Sequence, residues 1–122
     1  MILHSGIDTI EISRLKEIQP IIRQRFITRV FTEKEIVQAR DRNDVLSGLF
    51  AAKEAVSKAL GTGIGRVAWQ DIEIIHLNSG QPTVRLHGQA KIVAEQLGLQ
   101  EWSVSISHDR NKAIAMAVAI GK

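Results

Sequence analysis

The chain has 122 residues, a formal net charge of +3, 44% apolar and 24% charged residues, and no cysteine. Such a length buries roughly two-thirds of its unfolded surface, so a single domain over residues 1–122 is expected, and disulfides and thiolate metal sites are excluded. No apolar run approaches the ~20 residues that span a bilayer, and Met1-Ile2-Leu3-His4-Ser5-Gly6 lacks the pattern of a secretory signal, so the expectation is a cytoplasmic protein with no membrane partner.

Ile2 to Ile12 is rich in β-branched residues and reads as a strand, with Gly6 marking a close approach to some other element. Ser13 is expected to cap a short helix over Arg14 to Gln19, stopped by Pro20, and a second short helix follows from Ile21 to Ile27. Thr32 and Glu35 have the spacing of a capping box, with Phe31 and Ile36 placed as a hydrophobic staple, so a helix starts at Thr32 and runs to about Arg40. Asn43 or Asp44 is expected to cap the main helix, which continues to Leu60. Its core stripe is Leu49, Ala52, Val56 and Ala59, and Gly61 supplies the left-handed residue that ends it.

Beyond the glycine turn the period shortens. Trp69 to Leu77 and Thr83 to Leu86 read as a hairpin, and Gly88 to Leu97 as an amphipathic helix closed by Gly98. Two alternating strands follow, Trp102-Val104-Ile106 set against serines and Ile114-Met116-Val118-Ile120 set against four alanines. The fold class is therefore α+β, with a largely antiparallel sheet packed against helices.

Several residues carry possible chemistry. Asp8 stands in an otherwise apolar strand, where it either serves a site or accepts backbone hydrogen bonds at a bulge. Glu54 and Lys58 are separated by about 40° of azimuth and about 6 Å of rise, so one helix face presents an acid and a base together, or simply a surface pair. Gly61, Gly63 and Gly65 do not form a phosphate-binding Walker loop, since they follow a helix instead of preceding one. They stop a helix, or let backbone amides approach a phosphate. His108 opens a loop after a strand whose outward positions are all serine, and is either an exposed loop histidine or a substrate contact. Between Ser13 and Val30, Arg14, Lys16, Arg23, Arg25 and Arg29 face a single acid, Glu17. That cluster is either a solvated face or a surface that draws in an acidic partner.

Taken in order, these pieces resemble the phosphopantetheinyl transferases, and in particular their short bacterial type. Gly6-Ile7-Asp8 with Arg14 matches the family's opening G-x-D-x-x-x-x-x-R. Phe50-Ala51-Ala52-Lys53-Glu54-Ala55 with Lys58 matches its W/F-x-x-K-E-A-x-x-K. Phe31-Thr32-x-x-Glu35, Gly61-Thr62-Gly63-Ile64-Gly65, Gly80-Gln81-Pro82 and Ser105-Ile106-Ser107-His108 fall where that type has comparable segments. Gln81 departs from it, standing where lysine is common.

The resemblance implies Mg²⁺-dependent transfer of 4'-phosphopantetheine from coenzyme A to a serine of apo-acyl carrier protein, releasing adenosine 3',5'-bisphosphate, in support of fatty acid biosynthesis. It implies Asp8 and Glu54 as the metal carboxylates and Lys58 as the donor to the departing phosphate, with the serine proton taken by a carboxylate or a metal-bound water. Lys58, Gly61, Gly63, Gly65, Pro82, Ser107 and His108 become the candidates for holding the nucleotide. Arg14 with Arg23 or Arg25, flanked by Ile18, Ile22 and Phe26, would dock the acidic carrier, and the resemblance implies a homotrimer with active sites between adjacent protomers. The alanine row of the last strand fits such close packing, or else lies under a helix. A nucleic-acid-binding module is disfavoured, because only 4% of residues are aromatic and none is tyrosine. A carrier-binding scaffold without catalysis would leave Asp8, Glu54 and Lys58 with no common purpose.

Overall fold

The computed structural model describes residues 1–122. Strand β1 (Ile2–Glu11) leads through helices α1 (Ser13–Glu17), α2 (Pro20–Val30) and α3 (Glu33–Ala39) into the main helix α4 (Asn43–Ala59). After a 3₁₀ turn over Trp69–Asp71 come β2 (Ile72–His76) and β3 (Pro82–Leu86), then α5 (Gly88–Leu97), β4 (Glu101–His108) and β5 (Lys112–Gly121).

The α+β expectation holds, but the strands divide into two sheets. β1, β5 and β4 lie antiparallel in that order, while β2 and β3 pair only with each other. The physical reason lies in α4, eleven of whose 17 residues are buried. A helix apolar around most of its circumference must be covered on more than one side. The three-stranded sheet covers one side, and α3 with β2 covers another.

The alternation in β5 assigns each face. Ala113, Ala115, Ala117 and Ala119 are buried, so the alanine row lies under a helix, and its small side chains let α4 approach the sheet. The opposite face carries Leu3, Ile7, Ile114 and Met116, all exposed.

Several boundaries differ from the sequence reading. Ser13 is the first residue of α1 and not its cap, the preceding Ile12 being already helical. Pro20 opens α2 from the first helical position, where its missing N–H costs nothing. Asn43 and Asp44 lie inside α4, although Asp44 Oδ1 still accepts the Val45 amide at 2.8 Å. The Thr32–Glu35 capping box is present as expected: Thr32 Oγ1 accepts the Glu35 amide at 3.3 Å and Glu35 Oε1 accepts the Thr32 amide at 2.8 Å.

Candidate active site

The site begins where β1 crosses α4. A Cβ at Gly6 would stand 1.9 Å from the Ala55 carbonyl oxygen, so only glycine lets the strand lie this close to the helix. His4 Nδ1, two residues earlier, donates to the Ala59 carbonyl at 2.7 Å. Two residues later, the same side of the strand presents Asp8. Its pairing with β5 runs unbroken from Ile2 to Glu11, so no bulge accounts for an aspartate there.

Lys58 spans the crossing. Its Nζ donates to the Ile7 carbonyl at 2.9 Å and to Asp8 Oδ1 at 3.3 Å. The helical spacing of Glu54 and Lys58 thus yields no simple surface pair: the lysine turns to the strand and leaves Glu54 behind. Burial first, and the charge of Asp8 second, push the Glu54 carboxyl above the ordinary glutamate range, with Lys58 only partly opposing them. Asp8, Glu54 and Lys58, from two separate elements, are therefore brought into one electrostatic cluster.

On the preceding residue of the helix the charge is treated differently. Lys53 is wholly buried, ion-paired with Glu35 Oε1 at 2.7 Å and donating to the Trp69 and Ile72 carbonyls at 3.0 and 2.5 Å. Burial pushes its ammonium below the usual lysine range, and the Glu35 charge pushes back. Sequence reasoning missed this pair, having assigned Glu35 to the capping box alone. The available signal was a lysine enclosed by Ala51, Ala52 and Ala55, a composition that marks a buried face.

Of the residues expected to hold a nucleotide, Lys58 belongs to the acidic cluster, whereas His108, Ser107 and Pro82 do not join it within one chain. Ten residues of α4 at 1.5 Å each separate Glu54 from Asp44, about 15 Å, and His108 Nε2 lies 4.0 Å from Asp44 Oδ2. Ser107 pairs with Ile114 on β5, which in turn pairs with Thr9, so two strand spacings, roughly 10 Å, part it from β1. Pro82 lies in the separate hairpin, opposite His76. Gly61, Gly63 and Gly65 have φ of 77°, 63° and 140°, which explains the residue type. Their amides already donate to the carbonyls of Lys58, Ser57 and Val67 at 2.9, 3.1 and 3.0 Å, so they are not free to cradle a phosphate as they stand.

Four of the six expected docking residues gather. Arg14, Ile18, Ile22 and Phe26 line a groove of about 460 Å³ together with Ile10, Leu15 and Phe50. Phe50, quoted only as a motif residue, thus forms part of its wall, its ring 5.4 Å from that of Phe26. Arg25 is exposed. Arg23 is committed elsewhere: it donates to Asp41 Oδ1 and Asn43 Oδ1, each at 2.7 Å, and so fastens α2 to the left-handed turn before α4.

With this geometry established, the resemblance can be tested against known proteins. Residues 5–118 match the 4'-phosphopantetheinyl transferase superfamily. The chain belongs to that superfamily. It is 44% identical over 121 residues to the holo-[acyl-carrier-protein] synthase of Natranaerobius thermophilus, covering 97% of each chain. It is 46% identical to that of Caldanaerobacter subterraneus subsp. tengcongensis, covering 95% of this chain and 93% of the other. Among solved structures, the Helicobacter pylori holo-[acyl-carrier-protein] synthase in complex with coenzyme A superposes with a TM-score of 0.86 at 35% identity, covering 95% of this chain and 99% of that one. The protein is accordingly an enzyme of the phosphopantetheinyl transferase family.

For such a transferase the acidic cluster has the right chemistry to hold a divalent cation. No group of three or more His, Asp or Glu side chains forms a complete protein cage. Mg²⁺ does not require one, since it commonly takes one or two carboxylates and completes its shell with substrate phosphates and water. A carboxylate pushed above its ordinary range by burial and then by the charge of Asp8, and accepting no side-chain hydrogen bond, is a group that a bound cation would relieve.

Proposed function

We propose that the 122 residues act as one transferase domain that moves 4'-phosphopantetheine from coenzyme A to a serine of apo-acyl carrier protein, with Mg²⁺ bound by Asp8 and Glu54. The observation that carries this reading is the convergence of Asp8, Glu54 and Lys58 where β1 crosses α4. The relatives named above support the substrate and the carrier. Bound Mg²⁺ would neutralise charge on the coenzyme's pyrophosphate and orient it for displacement.

The chain's own residues supply the rest. The carrier serine gives its hydroxyl proton to a site carboxylate or to water, its oxygen bonds to the phosphorus that bears the pantetheine arm, the pyrophosphate linkage breaks, and adenosine 3',5'-bisphosphate departs. Lys58, half-exposed and already poised over Asp8, donates to the oxygen that gains charge as the linkage breaks. Asp8 in turn holds the ammonium on the strand side of the helix. Arg14 and Arg25 attract the acidic carrier, and the groove walled by Ile18, Ile22, Phe26 and Phe50 takes an apolar side chain from it.

The reading further places the enzyme in the cytoplasm, in fatty acid biosynthesis, as a homotrimer whose sites lie between protomers. Two observations support the trimer. The outer sheet face leaves Leu3, Ile7, Ile114 and Met116 exposed in a single chain. Ser107, His108 and Pro82 also lie on elements apart from the crossing that carries Asp8 and Glu54, and a neighbouring protomer could bring its own copies.

The test is a single incubation of the protein with apo-acyl carrier protein, coenzyme A and Mg²⁺, followed by mass measurement of the carrier. A gain of one phosphopantetheine, abolished by a chelator, is expected. A carrier of unchanged mass would refute the reading.

A further inference from the structure

Lys53 and Glu54 are adjacent on α4, yet only Glu54 has a part in the chemistry proposed above. The Lys53 ammonium is held by Glu35 at 2.7 Å and by the carbonyls of Trp69 and Ile72 at 3.0 and 2.5 Å. Glu35 is fixed in its turn: Oε1 accepts the Thr32 amide at 2.8 Å and Oε2 accepts the Ile74 amide at 2.9 Å. The pair therefore fastens one side of α4 to α3 and to the start of β2. Gly6 lays β1 against the helix at Ala55. These two contacts hold the helix from two sides, at Lys53 and at Ala55.

We infer that Lys53 and Glu35 are positioning residues for the Glu54 carboxylate: their ion pair sets the rotation of α4 and thereby how Glu54 faces Asp8. This rests on the cation-holding role given to Asp8 and Glu54 above. A side-chain head stands about 5 to 6 Å from the helix axis, so a turn of about 10° moves it by about 1 Å. A shift of that size at a reacting centre costs on the order of 10²-fold in rate. Stability alone does not account for the pair, because hydrophobic residues of similar volume often replace a buried ion pair without loss. A rigid orientation one residue from the site does account for it.

The experiment compares wild type, Lys53→Gln, Lys53→Arg and Val93→Ala. Val93 is buried in the remote helix α5, so its truncation serves as a control for general destabilisation. Gln keeps a donor but lacks the charge and the reach of the lysine. Arg keeps the charge but replaces a point donor by a broad planar fork. Mn²⁺ is titrated into each protein in the presence of coenzyme A, free Mn²⁺ is followed by electron paramagnetic resonance, and the thermal midpoint and the KM for the carrier are measured alongside.

Both Lys53 variants are expected to bind Mn²⁺ about tenfold or more weakly with carrier KM within about twofold of wild type, while Val93→Ala keeps wild-type Mn²⁺ affinity despite a lower midpoint. If one Lys53 variant does not fold, the other decides. A folded Lys53 variant with wild-type Mn²⁺ affinity overturns the inference and leaves the cation reading standing, as does an equal loss in Val93→Ala. Wild type that binds no Mn²⁺ overturns both.

Discussion

Two consecutive residues of α4 show opposite treatments of charge. Lys53 is sealed from solvent with a carboxylate and two carbonyls around its ammonium, whereas Glu54 is half-buried and its carboxylate accepts no hydrogen bond. A buried charge with every bond made serves the scaffold; a charge kept near its like, with partners withheld, is a place prepared for a ligand. The helix rise separates the two by only ~1.5 Å, so the fold, and not the local sequence, decides which is which.

The strongest way to break this contrast is to remove a carboxylate from the open side. Asp8→Ala and Glu54→Ala should each abolish Mg²⁺-dependent transfer while the circular dichroism spectrum and thermal transition stay native-like; turnover at the wild-type rate in either would remove that residue from the metal site. Lys58→Ala should lose on the order of 10²- to 10³-fold in kcat, as for a lost transition-state donor, with carrier KM little changed. Steady-state kinetics that show a KM effect alone would make Lys58 a binding group and nothing more.

On the sealed side the loss should register as stability. Lys53→Met leaves Glu35 buried without its partner and should cost about 3 to 5 kcal/mol in urea unfolding. A loss below about 1 kcal/mol would mean that water or a rearranged side chain satisfies Glu35 in its place. On the docking surface, Arg14→Glu should raise carrier KM about tenfold and leave that for coenzyme A nearly unchanged, and the defect should shrink as salt is added. Equal losses for both substrates would contradict the docking role.

The smallest effect sharpens the comparison by its sign. Because folding raises the Glu54 pKa, through burial and then Asp8, the folded metal-free protein favours the protonated acid. Its contribution to stability is present below the unfolded glutamate pKa and is lost as pH rises through the folded value. Glu54→Gln, which cannot ionise, should therefore make the metal-free protein slightly more stable than wild type at neutral pH, and the difference should vanish below about pH 4. Chemical denaturation of chelator-treated protein at several pH values would read this directly. A variant less stable than wild type at neutral pH would mean that Glu54 is satisfied after all.

The sequence reading found Asp8 because an acid within an apolar strand is a local anomaly, and Glu54 with Lys58 because helical spacing is a short-range rule. Glu35 was found only as a capping residue, since capping spans three positions whereas its bond to Lys53 spans eighteen. Arg23 was grouped with the docking arginines on charge, and its bonds to Asp41 and Asn43 depend on how α2 folds back on the turn before α4. Phe50 is one wall of the groove because Phe26 comes to rest beside it.

Local chemistry along the chain thus determined the order and type of most of its helices and strands, the capping box at Thr32, the glycine stop at Gly61, and which side chains are chemically out of place. Tertiary structure alone decided that α4 is covered on two sides, that Gly6 admits β1 within contact of Ala55, that Lys58 turns from Glu54 to Asp8, and that His108 comes to rest beside Asp44 at the other end of α4. The physical reason is range: propensity, capping and periodicity act over a few residues, whereas burial and charge pairing depend on which distant segments the packed core brings together.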